Sequence, residues 1–234
     1  MLLALWSPKG GSGTSVVAAS VALVAAGRGE ARLADLGGDQ PAILGLAPAP
    51  VSSGGNGLVE WLSGGPPAPT EWLDDLAVPV VPGLSLLPRG PGAIHAAGSD
   101  AGAALAVALR DGGTVVLDAG TEPAPAVGAA IEVADAALMV IRPCYLALRR
   151  AVADPRLERS SGAVLVEEPG RALDAADVAA VLGVPVVGRF PVRAEIARAV
   201  DAGVLRDRLP AALAASAAAV LDRMAGPRDG RWAA

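Results

Sequence analysis

The residues whose order speaks most directly of chemistry are Lys9-Gly10-Gly11-Ser12-Gly13-Thr14-Ser15. Three glycines in this run let the main chain turn tightly and bring its N–H groups close to an anion. A helix beginning near Thr14 would add the positive end of its dipole, an arrangement that holds phosphate groups. Ser15 stands where a hydroxyl would complete the coordination of a magnesium ion shared with β- and γ-phosphates. A tight turn without a ligand would use the same glycines, so the surrounding elements have to decide. Lys9 is the only lysine in a chain whose other basic side chains are arginine. A compact ammonium kept at this one place suits a contact with phosphate.

Those elements are legible. Leu2-Leu3-Ala4-Leu5-Trp6, closed by Ser7-Pro8, reads as a buried strand, and Thr14 to Ala26 reads as a helix ended by Gly27 and Gly29. The glycine run therefore joins a strand to a helix, the context a nucleotide-binding loop requires. Further strands are predicted over Ala31–Leu36, Gly83–Leu87, Thr114–Leu117, Ala136–Ile141, Ala163–Val166 and Pro185–Phe190. Helices are predicted over Asp100–Arg110, Ala126–Ala134, Leu146–Ala153, Asp174–Leu182, Arg193–Asp201 and Pro210–Ala225. Apolar strands alternating with helices imply crossover units, a mostly parallel sheet and helices on both faces.

Residues 47–80 break the pattern, being rich in proline, glycine and serine, with two similar pieces, Glu60-Trp61-Leu62 and Glu71-Trp72-Leu73. They read as short helices on an excursion within one domain spanning residues 1–225, the two tryptophans serving as core plugs or as a partner's anchor. Residues 226–234 read as a flexible tail. The C-terminal helix carries Leu213, Ala217, Val220, Leu221 and Met224 on one stripe and alanine opposite, so it should pack on the domain or on a second copy.

Composition narrows the class. Hydrophobic residues make up 53% and aromatics only 3%, which suits close packing of helices on a sheet. The longest apolar stretch, Val16 to Ala26, contains Ser20 and is too short to cross a bilayer, so no transmembrane segment is expected. No basic residue precedes Lys9 and no cleavage pattern follows, so a signal peptide is not expected. Cys144 is the only cysteine, which excludes an internal disulfide framework and points to the cytoplasm. His95 has no ligand-spaced companion, and Asp154, Glu158, Glu167 and Glu168 form no evident metal set.

Lys-Gly-Gly-x-Gly-x-Ser resembles the deviant Walker A loop of the ParA/MinD superfamily, whose signature lysine precedes two glycines. The resemblance continues in order through about residues 2–206. Ala31-Arg32-Leu33-Ala34-Asp35-Leu36 is similar to the second strand, ending in an aspartate that faces the magnesium. Asp111 to Asp118 is similar to the Walker B strand. Ala134 to Pro143 resembles the strand that follows it, and Val184 to Pro191 with Ala199 to Gly203 resembles the base-proximal region. The resemblance implies a P-loop ATPase fold, ATP and Mg2+ as cofactors, and Lys9, Asp35 and Asp118 as catalytic groups. It further implies Ser15, Asp35 and Asp118 at the metal, and Lys9, Gly10, Gly11, Ser12, Gly13, Thr14, Ser15, Arg189 and Pro191 around the nucleotide.

Three departures bear on activity. Thr14 occupies the place of the family's second lysine, which reaches the β- and γ-phosphates. Gly37 occupies the place of an aspartate that helps orient the attacking water, with Asp39 nearby. Val166-Glu167-Glu168 stands where an asparagine usually meets adenine. Binding without efficient turnover is the expectation, because charge develops where that lysine is missing. By resemblance Lys9 crosses a homodimer interface to the partner's nucleotide; gripping its own phosphates, or facing solvent, is the alternative.

Loss of the second lysine resembles the TadZ/CpaE-like branch, which places pilus or secretion machinery at particular cell sites such as a pole. The expected partner is then a secretion ATPase or a polar landmark. A ParA-like partition ATPase is the main alternative, yet DNA binding wants a basic surface and this chain carries a net charge of −5. A MinD-like membrane-cycling regulator and a scaffold that binds no nucleotide are the further alternatives. A nitrogenase-reductase relative would need more than one cysteine.

Overall fold

The structure, a computed structural model, describes residues 1–47, 57–64, 69–111 and 113–226. Residues 227–234 of the expected tail, Gly112 of the Walker B-like run and parts of the 47–80 excursion lie outside them. β1 (Leu2–Trp6) is the centre of an eight-stranded sheet, flanked by β5 (Thr114–Gly120) and β6 (Ala136–Ile141). Beyond β5 lie β2 (Ala31–Asp35), β4 (Leu84–Leu87) and β3 (Val78–Val81); beyond β6 lie β7 (Gly162–Glu167) and β8 (Val186–Pro191). All neighbouring strands run parallel except β3, which is antiparallel to β4. The chain leaves β1, crosses to β2 and returns to fill the gap with β5, so the strand order reverses beside β1. In open α/β sheets, ligands bind in the crevice at such a point.

Strand periodicity assigns the two faces. Leu2, Ala4 and Trp6 enter one core with α3 (Leu58–Ser63), α5 (Ser99–Leu109), α6 (Pro125–Val133), α7 (Tyr145–Val152) and α8 (Ala175–Leu182). Leu3 and Leu5 enter the other with α1 (Thr14–Ala26), α9 (Ala194–Asp201) and α10 (Ala211–Ala225). The stripe on α10 is buried, as its spacing implied, and packs on α1 and β8. Among the described residues, no helix is long and apolar enough to cross a membrane.

Two elements depart from expectation. β3 begins inside the stretch read as an excursion of short helices; it holds Pro79, whose missing N–H is tolerated because β3 is at the sheet edge. The two tryptophans also separate. Trp61 is buried and donates to the Pro69 carbonyl, whereas Trp72, on α4 (Glu71–Asp75), is 50% exposed. Cys144 is only half-buried, at the start of α7.

Helix α5 approaches α6 unusually closely, because a β-carbon at Gly102 would sit 1.9 Å from the Ala126 carbonyl oxygen. Backbone cannot yield as a side chain can, so Gly102→Ala must part the two helices. Overpacking of this kind costs about 1–3 kcal/mol, and each kcal/mol lowers Tm by roughly 2–4 °C at this size. Thermal unfolding of Gly102→Ala should therefore show a loss of several degrees, with no change in any ligand affinity.

Candidate phosphate and magnesium site

The loop after β1 is braced from within. The Lys9 carbonyl accepts hydrogen bonds from Ser7 Oγ at 3.0 Å and Ser12 Oγ at 2.8 Å, and Ser7 N–H donates to the Gly120 carbonyl at 3.0 Å. Gly11 and Gly13 take φ of 76° and 89°, the left-handed region that residues with a β-carbon avoid. At Gly13, the residue before α1, no side chain caps the helix, so its first N–H groups remain available. Ser12 and Thr14 are buried, whereas Gly10 and Gly11 face solvent.

Asp35 ends β2 and Asp118 lies two residues before the end of β5, in direct register with it, both buried and on the face that α1 covers. Asp35 accepts from the N–H groups of Gly38 at 2.6 Å and Gln40 at 3.2 Å. Asp118 accepts from Gly120 N–H at 3.1 Å, from Gln40 Nε2 at 2.7 Å and from the Ser15 side chain. Burial, and then the charge of Asp118, push the Asp35 carboxyl up from 3.8 to about 7. Burial raises Asp118 as well, against the hydrogen bonds from Gln40, Ser15 and Gly120.

Two buried carboxyls held away from ionisation, beside a hydroxyl and a phosphate-type loop, form an oxygen set suited to a hard divalent cation. Magnesium sites use one or two carboxylates with substrate phosphates rather than all-protein cages. No group of three or more metal-binding His, Cys, Asp or Glu side chains occurs among the described residues. The residues present fit Mg2+ bound together with a nucleotide: Ser15, Asp35 and Asp118 would face the cation, and the N–H groups of residues 10–15 the phosphates.

A cleft of about 510 Å3 opens over the loop, within the roughly 300–1,000 Å3 typical of small-molecule sites. Gly10 to Val16 line it together with Gly37, Asp39, Gly120, Thr121, Ala42, Ile43, Val200 and Asp201. This lining holds two carboxylates and no lysine or arginine. Lys9 stands at the rim, its Nζ donating to the Gly10 carbonyl at 3.3 Å, with no carboxylate partner among the described residues. Asp35, Asp118, Arg189 and Pro191 are not part of the lining: the two aspartates are fully buried, Arg189 is largely exposed and pairs with Glu167 at 3.2 Å, and Pro191 sits beside Glu167 in the β7–β8 ladder. Asp39 does reach the lining, and so does Asp201. Sequence reading missed Gln40, a fully buried amide among carboxylates, although Asp39-Gln40-Pro41 just after a strand end marked a helix start.

Of the polar residues set aside, Asp154 pairs with Arg156 at 2.7 Å and Glu168 with Arg171. His95 approaches Glu122 at 3.6 Å on the surface.

No sequence-family profile matches the chain, and no curated protein matches it. Solved structures do. A ParA family ATPase from Chlorobium tepidum aligns with a TM-score of 0.75 at 19% identity, over 92% of this chain and 96% of that one. The MinD cell division protein of Aquifex aeolicus aligns at 0.74 and 19% identity, over 95% and 96%. The septum site-determining protein MinD of Pyrococcus horikoshii, complexed with Mg-ADP, aligns at 0.72 and 17% identity, over 96% and 95%. The fold is that of the MinD and ParA P-loop ATPases.

Proposed function

We propose that this chain is a nucleotide-responsive positioning protein that binds Mg-ATP at the loop 9–15 and pairs with a second copy when loaded. The observation that carries this reading is the meeting of the glycine loop and Ser15 in one open cleft, with the Ser15 side chain hydrogen-bonded to the buried Asp118, which lies in register with Asp35. The likeness to a MinD complexed with Mg-ADP supports the same ligand class.

Slow turnover, or none, follows from what the cleft lacks. Thr14 brings no charge to the phosphates, and Gly37 brings no carboxylate to an attacking water; Asp39 is the carboxylate left on that wall. A lining that holds acids and no cation leaves the magnesium and Lys9 to offset the phosphate charge. Lys9, which has no carboxylate partner among the described residues, would serve a second copy, which makes pairing depend on ligand.

The process we favour is that of the TadZ/CpaE-like branch: a cytoplasmic homodimer, recruited to a pole or another cell site, that places pilus or secretion machinery through a secretion ATPase or polar landmark. DNA partition is disfavoured because Arg189, Arg193 and Arg206 each face a carboxylate, at 3.2, 3.7 and 3.6 Å, leaving no continuous basic surface among them.

Calorimetry with Mg-ATP and light scattering with and without it test the reading. The wild type should bind and double its mass, while Lys9→Ala should keep at least a tenth of the affinity and stay monomeric. No binding at millimolar Mg-ATP would leave a scaffold recognised by its surface. Tight DNA binding at physiological salt would restore the partition alternative.

A further inference from the structure

Helices α3 and α4 enclose a hollow of about 260 Å3, lined by Gly57, Glu60, Trp61, Trp72, Asp75 and Leu76. None of these residues lines the phosphate cleft, which takes its helical wall from α1 and from Ala42 and Ile43 of α2 (Gln40–Ile43). Sites for whole small molecules run to roughly 300–1,000 Å3, so this hollow suits one long side chain. Its base is rigid. The Leu58 and Val59 N–H groups donate to the Pro88 and Arg89 carbonyls, both at 2.9 Å. A β-carbon at Gly57 would stand 2.4 Å from the Gly90 nitrogen, so the start of α3 is pressed on that loop. Trp61 is buried and fixed by its bond to the Pro69 carbonyl at 3.2 Å. Helix α4 is held by the buried Leu73 and by the Arg32–Asp74 pair at 2.7 Å. Trp72 alone stays 50% exposed, with a ring carbon 3.9 Å from where a β-carbon on Gly64 would lie. Tryptophan is among the side chains most enriched where protein partners anchor.

The charge here has one sign. Glu60 and Asp75 line the hollow, Glu71 is exposed beside Trp72, and no lysine, arginine or histidine occurs between Arg32 and Arg89. Asp75 has no hydrogen bond or ion pair among the described residues. Arg32 is taken by Asp74, and Arg89 by the Leu36 carbonyl and Glu122. A cation for this hollow therefore has to come from another molecule.

The interior of the chain shows what completes such a set. The Arg156 guanidinium lies 4.5 Å from the Trp6 ring centroid and pairs with Asp154 at 2.7 Å. Trp72 and Asp75 offer the tryptophan and the carboxylate without the arginine. A guanidinium serves both together, because its plane stacks on an indole while its N–H fork meets a carboxylate. An ammonium is a more strongly hydrated point charge and matches that pair less well.

We propose that the hollow between α3 and α4 is a docking pocket for an arginine side chain of a partner protein, stacked on Trp72 and paired with Asp75. This surface is independent of the Mg-ATP reading.

NMR of the indole N–H groups of the full chain, without nucleotide, tests it. The probe is acetyl-Gly-Arg-Gly-Arg-Gly-amide, and the lysine peptide of equal charge is the reference. The Trp72 resonance, assigned with Trp72→Phe, should move on titration, and that of Trp6, fully buried and bonded to Ser160, should not. The arginine peptide should bind about fivefold tighter than the lysine peptide, the scale of an exposed cation–π contact. Trp72→Ala and Asp75→Asn should each weaken it by about the same factor, and Trp72→Phe by less. Asp111→Asn, which removes an exposed charge elsewhere, should change it by less than about twofold. Equal binding of both peptides, or Trp72→Ala binding like wild type, would mean attraction to net charge alone and overturn the pocket. No shift at millimolar peptide would overturn it as well. Self-association lost in Trp72→Ala would give the hollow to a second copy instead of a partner. Each of these failures leaves the Mg-ATP reading standing, since no nucleotide is present.

Discussion

The ligand-free protein should lose stability as pH rises from 5 to 8, and Asp35→Asn should remove most of that loss. Asp35 is fully buried and in register with Asp118. Burial first, and the Asp118 charge second, raise its carboxyl from 3.8 to about 7. An acid whose folded value lies above its unfolded value binds more protons when folded throughout the interval between them. Its stabilising effect is complete below about 4 and is lost as pH climbs through about 7. At 1.36 kcal/mol per unit the interval is worth about 4 kcal/mol, and Asp118, also raised by burial, adds in the same direction. Melting temperatures from pH 5 to 8 should fall for wild type and change much less for Asp35→Asn, which should be the more stable of the two at pH 8. Rising stability up to pH 8 would mean the carboxyls are ionised and already compensated. Ligation of a cation favours ionised carboxylates, so Mg-ATP binding should release protons near pH 6.5 and tighten as pH rises. Calorimetry in buffers of different ionisation enthalpy reads that release directly.

The elements were legible where the apolar period was clean. β1 and β6 and the start of α1 coincide with expectation because unbroken runs of Leu, Val, Ile, Met and Ala can only be strands or helices buried on both sides. Boundaries elsewhere moved by one to three residues, as helix caps and strand ends are set by tertiary hydrogen bonds. β3 was not legible because Pro79 forbids a central strand and says nothing about an edge strand. The glycine loop was legible because its chemistry is local. The pairing of Asp35 with Asp118 was foreseeable only through resemblance, since 83 positions separate them and register alone brings them level. Gln40 escaped because an amide after a strand reads as a capping residue; its importance lies in two acceptors supplied by β5 and the start of α1. Arg189 and Pro191 were placed near the nucleotide by resemblance alone; the structure pairs Arg189 with Glu167 on the β7–β8 edge.

Thr14→Lys should tighten ATP binding by about ten- to a hundred-fold without restoring fast hydrolysis. Thr14 lines the cleft at the first position of α1 and is itself buried, so a longer side chain there has only the cleft to grow into. Its apolar stem can follow the wall while the ammonium reaches the open space. A charge-assisted contact with phosphate contributes about 1.5–3 kcal/mol, which is the stated gain in affinity. The new cation would also favour the ionised forms of Asp35 and Asp118, lowering their carboxyl values and flattening the pH dependence of the free protein. Hydrolysis needs a further group, because Gly37 offers nothing to a water. Gly37→Asp alone should harm the free protein: its β-carbon would lie 3.3 Å from Asp118 Oδ2 and bring one more acid to a cation-free site. Thr14→Lys with Gly37→Asp supplies the compensating charge, so the double variant should be more stable than Gly37→Asp and should turn over ATP faster than either single variant. Affinity, melting temperature and phosphate release across the four proteins separate these effects. Weaker ATP binding by Thr14→Lys would show that the phosphates do not pass Thr14, and the anion in this cleft would have to be sought further along the wall formed by Gly37 and Gly120.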